Sequence, residues 1–544
     1  MATVQNLTGG QAVVQSLLAA GIDTVFGLPG AQTYSLLDAL YHERGKIHYI
    51  GTRHEQGAGY MAFGYARSTG RPGVYTVVPG PGVLNSSAAL CTAYGANAPV
   101  LCLTGQVPSR GIGSGRGYLH ELPDQLGTLR SFCKGAMRIT HPAAAPRLMA
   151  EALECCLSGR PGPVVVETPW DILDMKADVN SNAPDLMQPV PEPDPEAVAS
   201  AIELINQSRQ PMIMVGGGAM AANEEILELA GMIQAPVVSF RSGRGIVSND
   251  SAYGLTCAEG YRAWDHTDCL IGIGTRLELP YMRWQKIPAE LKVIRIDIDP
   301  AEMTRLKPDV GIVGDAAPAI RLLVDKLRPQ LKPRRSREDE LTDLKAVVEK
   351  QIRRIQPQMA YLDVIREVLP EDGIFIDELS QVGMTSWFGF PVYRPRTFIS
   401  CGYQGTLGYG FNTALGVKVA NPDKPVVSVN GDGGFMFGVQ ELATAVQYGI
   451  DLVAIVFNNH SWENVRRDQM SKFNGHVYGA ELRNPDFVRL AESFGAAAYR
   501  SKSPDELRTA LEKAFTGSAP AVIEVPVETG AEAAPWDFLM PGTY

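Results

Sequence analysis

Val426-Val427-Ser428-Val429-Asn430-Gly431-Asp432-Gly433-Gly434 decides the fold, together with the Asn458-Asn459 pair that follows 24 residues (434 to 457) after Gly433. The β-branched run ending at Asn430 reads as a buried strand, and the glycines after it let the chain turn tightly and bring backbone N–H groups to a diphosphate. Asp432, the amide oxygen of Asn459 and the carbonyl of Ser461 are hard oxygen ligands. Mg²⁺ suits such a set, because it takes few protein ligands and leaves its remaining octahedral positions to phosphate and water. A lone G-D-G is a common β-turn, but the flanking strands and the spacing to the asparagine pair lift this one above that reading.

Working outward, short apolar runs alternate with helical stretches along the whole chain, the pattern of parallel sheets covered by helices on both faces. The expected class is α/β, with three doubly wound parallel-sheet domains over residues 1–178, 195–328 and 356–530. In the first, Thr8 and Gln11 have capping-box spacing ahead of a helix stopped by Gly21, and strands are expected at 24–26, 74–78, 100–103 and 164–167. The second has strands at 212–215, 236–240, 269–273 and 293–298; the third has them at 374–376, 426–429, 452–457 and 521–525. The Pro- and Asn-rich stretch from Asn180 to about Pro195 reads as an extended linker, and the charged run from Arg328 to Glu340 as a solvated one. A strand, a glycine turn, a helix and another strand recur in the first and third domains, around Gly80-Pro81-Gly82 and Gly431-Asp432-Gly433, which suggests an internal duplication.

The 544 residues, 45% hydrophobic and 20% charged, describe a multidomain globular protein. A formal charge of -10 argues against a broad nucleic-acid footprint, and no apolar run is long enough to span a membrane. With no basic n-region before Arg44, the chain reads as cytoplasmic. Eight cysteines without a C-x-x-C pair read as buried free thiols rather than a disulfide framework or a zinc site.

The G-D-G…N-N spacing resembles the cofactor motif of thiamine diphosphate enzymes, and other motifs resemble their acetolactate synthase and pyruvate oxidase branch. His54-Glu55-Gln56-Gly57-Ala58 looks like the segment carrying the family's catalytic glutamate, and Val25-Phe26-Gly27-Leu28-Pro29-Gly30 like the turn beside the aminopyrimidine. Further matches are Gly80-Pro81-Gly82 with Asn85, Gly105-Gln106-Val107, Arg160-Pro161-Gly162-Pro163 and Gly405-Thr406-Leu407-Gly408-Tyr409-Gly410. The resemblance implies pyrimidine-binding, central and diphosphate-binding domains, with thiamine diphosphate and Mg²⁺ as cofactors. It gives Glu55 the task of exchanging a proton with the pyrimidine N1′, for which a carboxyl in an apolar cleft is suited. Leu407 becomes the bulky residue beneath the bent cofactor. Ser380 and Gln381 become diphosphate contacts, although a plain helix cap competes for Ser380. Asp432, Asn459 and Ser461 become the metal ligands, amid cofactor contacts from Gly431, Gly433 and Gly434.

The resemblance also implies small-molecule 2-oxo acid or aldehyde-type substrates, an enamine intermediate, and a homodimer at minimum, commonly paired into a tetramer. The acetolactate synthase pattern itself is broken: Leu119-His120 replaces its Phe-Gln, Trp170 its lysine, and Arg276-Leu277-Glu278-Leu279-Pro280 lacks the arginine that follows its Arg-Phe-Asp-Asp run. His120, on a loop with alternating glycines, is expected to handle protons over the reacting carbon; a structural histidine is the alternative. Gly216-Gly217-Gly218, Gly274-Thr275-Arg276 and Asp297-Ile298-Asp299-Pro300 sit where relatives contact FAD, but the Met-His-Gly element of flavin-bearing relatives is missing, which argues against FAD. The expected activity is a carbon–carbon lyase or carboligase; acetolactate synthase proper, an FAD-dependent 2-oxo-acid oxidase and a non-catalytic relative are the alternatives.

Overall fold

The structure is a computed structural model and describes residues 4–180 and 191–542. Most of the proline-rich linker, residues 181–190, lies outside the described residues; 191–194 lead without regular structure into the helix Pro195–Gln207.

Three six-stranded parallel sheets carry the chain. The N-terminal sheet has the spatial order His48–Gly51, Thr24–Gly27, Gly73–Val77, Val100–Gln106, Val164–Pro169, Gly135–Arg138. The C-terminal sheet runs Phe398–Ile399, Ile374–Ile376, Val426–Gly431, Val453–Asn458, Ala521–Pro526, Ala497–Arg500. In both, the strands taken by their order along the chain lie as second, first, third, fourth, sixth, fifth, so the duplication expected from the sequence is present in the topology. The central sheet differs: Gly254–Leu255, Val237–Ser239, Pro211–Val215, Cys269–Ile273, Lys292–Asp297, Val310–Val313, the third-second-first-fourth-fifth-sixth order of a dinucleotide-type fold. Central strands such as Val100–Gln106 and Val453–Asn458 are buried at every position, which is why they read as unbroken apolar runs. A short antiparallel pair, Val4–Thr8 with Lys176–Asn180, ties the start of the first domain to its end. All eight cysteines are free. No helix among the described residues is long and apolar enough to cross a membrane.

The charged run from Arg328 to Glu340 is not simply a solvated linker. Glu338, Asp339 and Glu340 form the first turn of a helix, Glu338–Ile352, where three carboxylates face the positive end of the helix dipole. Its buried residues Leu341, Val348 and Ile352 lie on one face, and that spacing was hidden behind the charge cluster.

The first and third domains meet most closely at one helix pair, Glu55–Thr69 against Gly410–Ala420. They approach to backbone contact: a Cβ on Gly64 would stand 2.1 Å from the carbonyl oxygen of Thr413, and one on Gly416 1.9 Å from that of Met61. Alanine in place of glycine on an exposed helix stabilises by up to about 1 kcal/mol. Here the sign should reverse. Gly64→Ala is expected to destabilise by roughly 2–3 kcal/mol through overpacking, read as a lower thermal unfolding midpoint than the parent.

Candidate active site

In an α/β sheet, ligands collect beyond the carboxyl ends of the strands where neighbouring connections leave in opposite directions. In both duplicated domains that point falls between the first and third strands. The C-terminal domain places Asp377 to Gln381 after Ile374–Ile376 and Gly431 to Gly434 after Val426–Gly431. The N-terminal domain places Pro29 and Gly30 after Thr24–Gly27, and Gly80 to Asn85 after Gly73–Val77. The two switch points carry most of the residues singled out from sequence.

The C-terminal one opens into a cavity of about 360 Å³ lined by Ser380, Gln381, Gly405, Leu407, the Gly431–Gly434 turn, Asn459 and Ser461. Asp432 accepts from the Asn484 amide at 2.7 Å and from the Gly433 N–H at 2.8 Å, and burial raises its carboxyl above the ordinary range. Asn459 donates to Glu532 at 2.7 Å, which fixes its amide oxygen toward the Ser461 N–H at 3.0 Å. Ser461 Oγ is buried without a hydrogen-bond partner. Asp432, Asn459 and Ser461 line one cavity, and a carboxylate, an oriented amide oxygen and an orphaned hydroxyl form a donor set that fits a small hard cation. Ser380 does act as a helix cap, accepting from the Gly383 N–H at 3.0 Å, and it also faces the cavity. Thr406 turns away, its hydroxyl 2.9 Å from that of Thr92 in the first domain. Leu407 stays 38% exposed at the cavity wall.

Two adjacent buried carboxyls, Asp377 and the cavity-lining Glu378, were left unassigned by the sequence reading. Glu378 accepts from the N–H groups of Gly408 (2.5 Å) and Gly431 (3.3 Å), bracing the loop after Leu407 against the Gly431 turn. Burial, opposed by these bonds, pushes it up to about 7. Asp377, bonded to the Tyr409 hydroxyl and the Trp387 indole, is raised by burial to about 6.

The N-terminal switch point gathers a second group. Glu55 is 8% exposed and opens the helix Glu55–Thr69; it accepts from the Asn85 amide at 3.1 Å. His120 has φ +65° and lies over Gly80, where a Cβ would come 2.5 Å from the His120 carbonyl oxygen. Its Nδ1 is 2.9 Å from Gln32 Oε1, while Gln32 Nε2 donates to Leu119 O at 2.7 Å. With the amide so oriented, Nδ1 is the donor, and in a neutral ring Nε2 keeps the lone pair. Gln32, also at positive φ (+72°), sits two residues after Gly30 and was missed because a glutamine in a turn carries no sequence signal. None of Pro29, Gly30, Glu55, Asn85 or His120 lines the C-terminal cavity. The candidates therefore fall into two groups within one chain.

Glu441 links the groups. Fully buried in the C-terminal domain, it accepts from the N–H groups of Arg53 (3.0 Å) and His54 (2.9 Å) and from Thr444 Oγ1 (2.6 Å), holding the segment that presents Glu55.

Comparison with known proteins agrees with this architecture. Models of the thiamine pyrophosphate enzyme match residues 7–128 (N-terminal TPP binding domain), 198–323 (central domain) and 379–525 (C-terminal TPP binding domain). The chain is 34% identical to a probable acetolactate synthase large subunit of Methanocaldococcus jannaschii, covering 97% of this chain and 93% of that protein. It is 33% identical to a probable 2-ketoarginine decarboxylase of Pseudomonas aeruginosa (96% and 94%) and 33% to the acetolactate synthase large subunit of Haemophilus influenzae (94% and 93%). The chain belongs to the thiamine pyrophosphate enzyme family.

If Glu441 positions Glu55, Glu441→Gln should leave the unfolding midpoint near that of the parent while slowing hydrogen exchange at C2 of bound thiamine diphosphate by about tenfold, because an amide oxygen accepts less strongly from the two N–H groups. Glu441→Asp should recover part of the rate. An unchanged exchange rate would leave Glu441 a purely structural carboxylate.

Proposed function

We propose that the protein is a thiamine diphosphate- and Mg²⁺-dependent lyase or carboligase for 2-oxo acids or 2-hydroxy carbonyl compounds, with its site assembled from two chains. Bound thiamine diphosphate supplies a carbon nucleophile at thiazolium C2 and a cationic ring that accepts the electrons released on carbon–carbon cleavage. The chain's own residues do the rest. Asp432, the Asn459 amide oxygen and the Ser461 carbonyl hold the metal, and the Gly431–Gly434 N–H groups, Ser380 and Gln381 face the diphosphate. Leu407 supports the bend of the cofactor. Glu55 holds a proton at the pyrimidine N1′, with Asn85 fixing its carboxyl. His120 keeps Nε2 available to give or take a proton at the reacting carbon or its hydroxyl, while Gln32 holds Nδ1.

The observation that carries this reading is the separation of the two groups at equivalent switch points. Each is half of a site, and the Glu55 of one chain would complete the cavity of another. Exposed apolar side chains near both halves support it: Leu84 and Leu119 in the N-terminal domain, Leu407, Met436 and Phe437 in the C-terminal one. A homodimer is then the minimum active unit, commonly paired into a tetramer, and eight unpaired cysteines suit the cytoplasm.

Acetolactate synthase proper is not our reading, because His120 and Trp170 stand where that pattern has glutamine and lysine. Flavin is left out of this reading because the Met-His-Gly element is missing; Gly216 and Gly218 pack closely on Gly274, whose carbonyl accepts from the Gly218 N–H at 3.1 Å.

Glu55→Gln and His120→Gln separate the two roles. The first should abolish hydrogen exchange at C2 while the protein still folds and binds cofactor. The second should preserve exchange yet lower turnover and shift products toward carboligation. Unchanged exchange in Glu55→Gln would sink the assignment, and an unchanged product ratio, turnover and pH profile in His120→Gln would remove the histidine from the chemistry.

A further inference from the structure

Two side chains of the cofactor cavity come from neither half-site. Arg241 and Arg283 belong to the central domain and line the same wall as Leu379, Met384, Trp387 and Trp536. Arg241 begins the turn after the strand Val237–Ser239, at φ +44°, a backbone state that a non-glycine residue adopts only when its surroundings hold it there. Arg283 ends a single π-turn, Leu279–Arg283, an element often found at functional sites. It thus brings a guanidinium to the cavity a few residues beyond the point where the sequence lacks the arginine of the acetolactate synthase pattern.

Two guanidiniums meet at one carboxylate here. Both guanidiniums share one carboxylate, Glu278, at 3.4 Å from Arg241 and 2.7 Å from Arg283. Their remaining bonds go to main-chain carbonyls, Gly402 at 3.0 Å and Leu539 at 3.4 Å, and Arg241 Nε is buried with no partner. Both also rest on the Phe240 ring, with Arg241 on the Trp387 indole too, so they are held as planar donors in apolar surroundings. The other charged groups on the cavity have partners of their own. Glu463 is taken up by Arg466 at 2.8 and 3.0 Å, and Asp432 and Glu378 stand at the Gly431 turn. Asp377, bonded to the Trp387 indole on which Arg241 rests, also draws on Arg241; what the triad leaves unmet is a donor, the Nε of a buried guanidinium on the wall of the cofactor cavity.

We propose that Arg241 and Arg283 form an anion subsite for a carboxylate that the substrate carries away from the bond being made or broken. The proposal rests on the cavity being the cofactor site and narrows the substrate to an acid that keeps its charge through the reaction. The sign is the opposite of what a guanidinium-bearing 2-oxo acid would require.

The test uses the holoenzyme with succinate as probe, read by tryptophan fluorescence, since Trp387 and Trp536 line the subsite. Arg283→Met should weaken succinate binding by about tenfold or more, and Arg283→Lys by less. Glu278→Gln should tighten it by about threefold, because it removes the internal competitor for both guanidiniums; a structural triad predicts no gain. Succinate affinities within about twofold of the parent in both Arg283→Met and Glu278→Gln, or no response in the parent, would overturn the proposal. Hydrogen exchange at C2, measured on the same samples, reports separately on the cofactor site, so its loss points to that reading and its retention isolates the subsite. Paired substrates locate the carboxylate: 2-oxoglutarate against its 5-methyl ester as donor, and glyoxylate against glycolaldehyde as acceptor to pyruvate. The charged member of one pair should have the higher kcat/KM by about tenfold, and Arg283→Met should erase that preference. Equal use within both pairs would also overturn it.

Discussion

One contact sets the geometry of everything chemical in this chain: the glycine-mediated crossing of Glu55–Thr69 on Gly410–Ala420. Close-packed interiors transmit displacement rather than absorb it, so two helices at backbone contact behave as one rigid piece. The first begins at Glu55, and the second begins where the Gly405–Gly408 loop ends. Each half-site hangs from one end of that piece. Glu441 reinforces the arrangement by binding the Arg53 and His54 N–H groups from the opposite domain. The distance between the two halves in one chain is therefore set by packing, and a second chain can meet both halves only in a fixed orientation.

The order of domains and the four inner strands of each sheet were legible because each left a local signature, whereas edge strands such as His48–Gly51 and Ala497–Arg500, half-buried and short, were not read. Val426 to Gly434 is a strand with a turn behind it, and the capping residues Thr8 with Gln11 announce their helix as the structure has it. What stayed hidden was long-range. Glu441 sits 388 residues from Arg53, and nothing in the neighbouring sequence tells a buried carboxylate from an exposed one. Gln32 and Glu378 matter only through the partners that the fold brings to them. The helix starting at Glu338 was obscured because a run of charge looks like solvent-facing linker until its apolar face is counted.

Substrate choice follows the same division. The loss of the acetolactate synthase residues at 120 and 170 was visible in sequence. What the sequence did not show is that Arg241 and Arg283 reach the cavity from the central domain by routes that no motif describes. On the reading proposed above, the central domain is more than a spacer, and His120 on one half-site with the paired arginines on the other would set where a bound intermediate is protonated or captured.

The central claim is that two chains share each site, and mixing inactive variants tests it most directly. Glu55→Gln and Asp432→Asn subunits, each inactive alone, would be combined under conditions that exchange chains, and activity would be assayed alongside the measured fraction of heterodimer. A shared site predicts recovered activity that rises with that fraction, because a heterodimer retains one site with both halves intact. Complete inactivity despite demonstrated heterodimers would contradict the account and place the whole site within one chain.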